Sequence, residues 1–199
     1  MRKMKTLFER TFIGHDVANT IDKVTEGCEW VLNGEGIATQ KLDGTCCLIQ
    51  NGKLFARFDY KQGRKLPEGA IPCQDKPDEV TGHFPHWVEV KDQPQYKWHK
   101  IAFEEQKDNL DNGTYELIGV HFQKNPEHVE QGDILVKHGS VVLSDVPRTY
   151  EGIKEYLRTH EIEGIVFHRG NGDMCKIKRT DFNFEWNGKS VKQKFDNEH

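Results

Sequence analysis

No apolar run in this chain approaches the roughly 20 residues needed to span a bilayer, which argues against a membrane-spanning helix. The opening residues, Met1-Arg2-Lys3-Met4-Lys5-Thr6-Leu7-Phe8-Glu9-Arg10, lack the apolar core of a secretory signal. Cysteine is sparse and odd in number, five in 199 residues with Cys46 and Cys47 adjacent. That pattern does not make a disulfide framework, and a reducing cytoplasm is the expected home. No C-x-x-C pair accompanies His83, His86 and Cys73, so a zinc reading of those three ranks low. Basic charge is not in excess either. A net charge of −4 and a pI of about 6.2 argue against indiscriminate binding to polyanions, which needs a dominant basic footprint. A local groove is still open to the chain, because Lys176, Lys178, Arg179, Lys189, Lys192 and Lys194 gather toward its end.

What is present is mostly strand. Ile37 to Gln40, Thr45 to Gln50 and Leu54 to Asp59 read as a β-meander, with Asn51-Gly52 as a hairpin turn. Thr114 to Phe122 reads as a strand after Asn112-Gly113. Ile134 to Lys137 and Val141 to Leu143 read as a pair around His138-Gly139. Gly164 to His168 and Met174 to Lys178 read as a hairpin across Asn171-Gly172. The clearest helix is Tyr150 to Thr159, with Thr149 as N-cap and Ile153, Tyr156 and Leu157 as its apolar stripe. Tyr96 to Gln106 fits strand or helix, and Thr6 to Lys23 is expected as a short helix and loop. Five of the seven prolines fall in 61–95, so that stretch is expected as an irregular loop or lid.

The chemistry starts at Lys41-Leu42-Asp43-Gly44. An Asp-Gly turn between two strand-like runs fixes the direction of the lysine two residues before it. Alone the pattern is weak, and Lys41 would read as an exposed strand-end lysine. Three later segments change its weight. Tyr115-Glu116-Leu117-Ile118-Gly119 and Glu163-Gly164-Ile165-Val166-Phe167 each set one carboxylate in an apolar strand. Met174-Cys175-Lys176-Ile177-Lys178 sets two lysines on one strand face, since residues two apart point the same way. A lysine amine attacks a nucleotide α-phosphorus only when unprotonated, and free lysine titrates near about 10.4. Neighbouring cations such as Lys176 and Lys178 depress that value and also suit phosphates. Two carboxylates suit magnesium or ribose hydroxyls. Arg57, on the strand after the Asn51-Gly52 turn, is expected to reach back toward Lys41. Taken singly each group is an ordinary surface residue; taken together, and in order, they form a nucleotidyl-transfer set.

These motifs resemble those of the covalent nucleotidyltransferases, the superfamily of ATP-dependent DNA ligases, RNA ligases and mRNA capping enzymes. Longer matches run through Gln40-Lys41-Leu42-Asp43-Gly44-Thr45-Cys46-Cys47, Ala56-Arg57-Phe58-Asp59, Gly82-His83-Phe84-Pro85-His86-Trp87-Val88, Tyr96-Lys97-Trp98-His99 and Glu163-Gly164-Ile165-Val166-Phe167-His168. They are similar to the vertebrate-type 5′-3′ RNA ligases that adenylylate themselves. The resemblance extends from about Ile37 to Arg179.

The resemblance implies an α+β fold: a nucleotidyltransferase (adenylation) domain of antiparallel sheets with flanking helices, ATP-grasp-like. It implies one domain over 1–199, with motifs at 41–178 and a C-terminal tail at 180–199. Only 21 residues follow Lys178, too few for the OB-fold domain that DNA ligases and capping enzymes carry, so none is expected. The implied activity is ATP-dependent joining of an RNA 5′-phosphate to a 3′-hydroxyl through lysyl-AMP on Lys41 and an adenylylated RNA end. ATP and Mg2+ (or Mn2+) are the implied cofactors, and RNA bearing those two ends is the implied partner. Thr39 and Gln40 are assigned to the adenine, and Arg57 and Glu116 to the ribose or phosphate side. Glu163 is assigned to magnesium or ribose, and Lys176 and Lys178 to the phosphates. Two alternatives stay open. One is an adenylyltransferase acting on DNA or protein; the other is a non-catalytic nucleotide- or RNA-binding module.

Overall fold

The computed structural model describes residues 4–13, 16–61, 63–79 and 82–188. Lys189, Lys192 and Lys194 of the expected basic tail lie outside the described residues. Among the described residues the chain runs β1 (Lys5–Thr6), β2 (Phe8–Ile13), β3 (Asp16–Val24), α1 (Glu29–Leu32), β4 (Ile37–Lys41), β5 (Thr45–Gln50), β6 (Lys53–Tyr60), β7 (Ile71–Pro72) and β8 (Phe84–Glu89). It continues through α2 (Lys97–Gln106), β9 (Gly113–Gly119), β10 (Asp133–Lys137), α3 (Tyr150–Thr159), β11 (Gly164–His168) and β12 (Met174–Lys178). The architecture is α+β, with mostly antiparallel sheets and few helices. No helix of the described residues is long and apolar enough to cross a membrane.

The chain divides into two compact units. One, Asp43–His138, is inserted in sequence between the two parts of the other, Met4–Leu42 and the chain from Gly139 onward. The inserted unit is built on a six-stranded antiparallel sheet in the order β10-β9-β5-β6-β8-β7. Asn51 and Gly52 both have positive φ (52° and 71°), as a two-residue type I′ turn between β5 and β6 requires. Alternation then sorts the side chains. Cys47, Ile49, Leu54, Tyr115, Leu117 and Leu135 point to one face and form a core with Ala102 of α2. Cys46, Arg57 and Glu116, one residue out of phase, point to the other face.

The split unit carries a four-stranded sheet in the order β1-β12-β11-β4, in which β1 runs parallel to β12 and the other pairs are antiparallel. A separate β2-β3 hairpin accompanies it. Ala38, Ile165, Phe167, Cys175 and Ile177 face a core completed by Trp30 and Val31 of α1 and by Ile153 and Leu157 of α3. Each fully buried aliphatic of this kind contributes on the order of 1.5–3 kcal/mol. Thr149 caps α3, its hydroxyl accepting from the Gly152 amide at 3.2 Å. Among the described residues beyond β12, Asp181, Phe182 and Trp186 are buried.

The structure corrects several expectations. Thr6 to Lys23 is not helix and loop: it supplies β1, β2 and most of β3. The meander is broken, because β4 leaves β5 and pairs with β11, while β5 pairs with β6 and β9. Ile134 to Lys137 pairs with β9, and Val141 to Leu143 runs beside β4 through backbone bonds to Gln40 and Ala38. The 61–95 stretch contains β7 and the six-residue strand β8, which pairs with β6 despite Pro85. Tyr96 to Gln106 resolves as a short 3-10 turn followed by α2.

Gly164 is required by close approach. A Cβ there would lie 2.3 Å from the Ile177 carbonyl oxygen and 2.9 Å from Lys178 Cα, atoms of the neighbouring strand's backbone. Gly164→Ala is expected to part β11 from β12 and destabilise the protein by about 1–3 kcal/mol, read as a lower urea midpoint. An unchanged midpoint would show that the strands accommodate the methyl.

Candidate active site

Of the eight residues assigned from sequence, Thr39, Gln40, Lys41, Glu163, Lys176 and Lys178 belong to the split unit, and Arg57 and Glu116 to the inserted one. The unit boundary falls inside Lys41-Leu42-Asp43-Gly44.

In the split unit, register builds the site. Lys41 lies opposite Gly164, which lies opposite Lys178; Thr39 lies opposite Val166, which lies opposite Lys176. Alternation puts Thr39, Lys41, Lys176 and Lys178 on the sheet face away from the core. Gln40 falls on the other face, opposite Ile165, so the structure separates it from its neighbours in sequence. Lys41 Nζ donates to Glu163 Oε2 at 2.5 Å, an ion pair in which both side chains are mostly buried (21% and 13% exposed). Thr39 Oγ1 donates to the Val166 carbonyl at 3.3 Å and lies 3.0 Å from His168 Nε2.

Lys176 is a cation whose charge is disfavoured in this cluster. Burial first, then the nearby cations Lys41, Lys178 and Arg10, lower its pKa to about 8, against a smaller opposing pull from Glu163. Arg10, on β2, was not singled out by the sequence reading. Its guanidinium donates to Asp181 Oδ1 at 2.7 Å, and Asp181 Oδ2 accepts from the Lys178 amide at 2.8 Å. Nothing local in the sequence marks Arg10; its place depends on the β2-β3 hairpin. Four cations and two carboxylates thus meet in this unit, a donor set suited to a polyanion such as a triphosphate.

In the inserted unit, Glu116 and Arg57 share a sheet face. Arg57 Nε donates to Asp59 Oδ1 at 3.1 Å. Glu116 engages protein groups with both oxygens: Oε1 accepts from the Gly44 amide at 3.1 Å, and Oε2 lies 2.9 Å from His138 Nε2. Glu127 Oε1 accepts from the Asp43 amide at 2.9 Å. Gly44 admits no side chain, since a Cβ would meet the Leu117 carbonyl oxygen at 2.2 Å. The Asp43-Gly44 turn is therefore clamped by two carboxylates, of which sequence reasoning named one. Cys46 and Cys47 face opposite sides of the sheet, as expected, with Cys47 in the core. His86 is buried with Nδ1 on the Phe84 carbonyl, and the described residues give His83, His86 and Cys73 no metal cluster. Glu163 is likewise no member of a cluster of three or more His, Cys or carboxylate ligands among the described residues.

A family model described as RNA ligase 1 matches residues 106–195, a span that holds Glu116, Glu163, Lys176 and Lys178. Over these residues the chain is similar to the vertebrate RNA ligases of that name. RNA ligase 1 of Rattus norvegicus is 27% identical over 226 aligned residues, covering 75% of this chain and 68% of that protein. The Mus musculus protein of the same name is 28% identical over 222 residues and the Danio rerio protein 26% over 221, with the same coverage. Since 226 aligned positions exceed the 199 residues present here, the relative carries insertions that this chain lacks.

The depressed Lys176 carries a signed prediction. With a folded value of about 8 against 10.5, the unfolded chain holds this proton between those pH values and the folded chain releases it. The group's contribution to stability therefore rises with pH across that window and is unfavourable below it. Lys176→Met is expected to stabilise the protein at pH 7 by on the order of 1–3 kcal/mol, a gain that shrinks toward pH 10.5. Urea melts at both ends of the window check it; a loss of stability at pH 7 would contradict it.

Proposed function

We propose that this protein is an ATP-dependent RNA ligase that works through a lysyl-AMP intermediate on Lys41. The observation that carries the reading is the placement of the Lys41 amine on one sheet face with Lys176 and Lys178, beside Glu163 and with Arg10 close to Lys176. The names of the relatives support RNA as the acceptor.

In the first step the neutral Lys41 amine attacks the α-phosphorus of ATP. The new N–P bond forms as the bond to the bridging oxygen breaks, pyrophosphate leaves, and the amine proton is lost to solvent. Lys176, Lys178 and Arg10 hold the phosphates and stabilise the charge that grows on the leaving group. Burial raises the value of these cations as electrostatic partners, because little water competes with the phosphates. Thr39 lies on the same face for the adenosine side. Gln40, on the opposite face, acts there through its backbone alone. Arg57 and Glu116 take the ribose or phosphate side.

The Lys41–Glu163 pair is the resting arrangement. Entry of phosphates gives the cations another anionic partner and lets Glu163 turn to a ribose hydroxyl or a metal. A single carboxylate together with substrate phosphates is an ordinary donor set for magnesium, so Glu163 fits that ion or manganese. When bound, the ion neutralises phosphate charge. In the remaining steps AMP passes from Lys41 to an RNA 5′-phosphate, and a 3′-hydroxyl then displaces AMP and closes the phosphodiester.

Incubation with α-labelled ATP and a divalent cation, followed by denaturing electrophoresis, tests the first step. Wild type is expected to retain label, Lys41→Ala none, and Lys178→Ala at least tenfold less. Label surviving in Lys41→Ala would refute the nucleophile. Addition of 5′-phosphorylated RNA, DNA or protein to labelled enzyme then separates RNA ligation from transfer to another acceptor. Nucleotide binding without label would indicate a non-catalytic module.

A further inference from the structure

Cys46, Glu116 and His138 meet on the face of the inserted unit's sheet that is turned away from its core. Cys46 lies directly opposite Glu116 in the β5-β9 register, and His138 follows β10, whose Val136 lies opposite Glu116 from the other side. Alternation along β10 gives position 138 the same face as Val136. The potential ligand atoms of all three residues lie within 4.8 Å of one another, and the set is the one such cluster found among the described residues. From it we infer that Cys46, Glu116 and His138 form a binding site for one divalent transition metal of the zinc class.

The donor types select the ion. Thiolate and imidazole suit zinc, cobalt or nickel, whereas magnesium and calcium take oxygen sets. Three protein ligands leave a fourth position for water or another ligand, the arrangement of an open zinc site. Bond lengths near 2.0–2.3 Å put tetrahedral ligands roughly 3.3–3.6 Å apart. The 2.9 Å contact between His138 Nε2 and Glu116 Oε2 therefore opens by about half an ångström. These are side-chain adjustments on a fixed strand register.

The cluster is already partly drawn together: His138 Nε2 lies 2.9 Å from Glu116 Oε2, and Cys46 faces Glu116 across the β5-β9 register. A bound dication supplies the positive charge that this group of donors lacks, and takes the thiol proton's place. The site uses none of the residues of the cation cluster on Lys41 and does not use Glu163, to which magnesium is assigned. It shares Glu116 with the nucleotide assignment, but it does not depend on that assignment.

Cobalt(II) is the probe, because its thiolate charge-transfer band in the near ultraviolet and its visible bands report sulfur ligation and tetrahedral geometry without any assay of activity. The full chain, reduced and stripped with chelator, is titrated with Co2+ and then with Zn2+. Wild type is expected to saturate at one equivalent with a thiolate band that Zn2+ abolishes and excess Mg2+ does not. Cys46→Ser is expected to lose the band, and His138→Ala to bind cobalt at least tenfold more weakly. Cys73→Ser, which alters another partly accessible thiol, is expected to behave as wild type. Absence of the band in wild type, or its survival in Cys46→Ser, overturns the site. Should Cys46→Ser fail to fold, X-ray absorption of the zinc-loaded wild type decides. One sulfur among nitrogen and oxygen neighbours supports the site, and a shell of nitrogen and oxygen alone overturns it.

Discussion

Like charges brought onto one face of a sheet repel, and the split unit is organised around that constraint. The antiparallel register of β4, β11 and β12 fixes Lys41, Lys176 and Lys178 at set positions, and Arg10 approaches from the β2-β3 hairpin. Hydrophobic packing on the opposite face, through Ile165, Phe167 and Ile177, holds the register regardless of the electrostatic cost. Two carboxylates from outside the strands offset part of it. Glu163 takes Lys41, and Asp181 takes Arg10 while accepting from the Lys178 backbone. Lys176 carries what remains: burial first, and then the neighbouring cations, lower its pKa to about 8. A polyanion entering such a site relieves repulsion as well as making contacts.

The Asp43-Gly44 turn is governed by a different kind of force. Its two amides donate to Glu127 and Glu116, and Gly44 sits too close to the β9 backbone to carry a side chain. A motif that reads in sequence as a flexible turn is here a clamped one. The hydrogen bonds that hold it come from residues the turn itself does not advertise.

Elements with strong local chemistry were legible in the sequence. Asn51-Gly52 announced its hairpin through the positive φ that type I′ turns demand, Asn171-Gly172 marked the β11-β12 connection, and Thr149 announced α3 through its cap. The pairing of Lys176 with Lys178 on one face follows from the period of a strand alone. What was not legible depended on partners far along the chain. The β2-β3 hairpin is rich in polar residues and shows no clean alternation, so it passed for helix and loop. Sheet membership of β4 was misread because a strand's neighbour in sequence is a poor guide when its true partner, β11, is remote. Arg10, Asp181, Glu127 and His138 reached their places by tertiary approach, and no spacing rule connects them to the motifs they serve.

The insertion of one unit within the other has a consequence for biosynthesis. Lys41 and Glu163 are 122 positions apart in the chain, and β4 has no partner strand in its sheet until β11 has left the ribosome, although 141–143 can run beside it earlier. Every strand of the inserted unit precedes β11, so that unit can complete its pairing while the nucleophile's own strand is still waiting. Non-local pairings of this kind form late, because a long loop must close before any contact rewards it. Vectorial synthesis thus keeps the amine out of its cationic surroundings until the rest of the split unit's sheet exists to receive it.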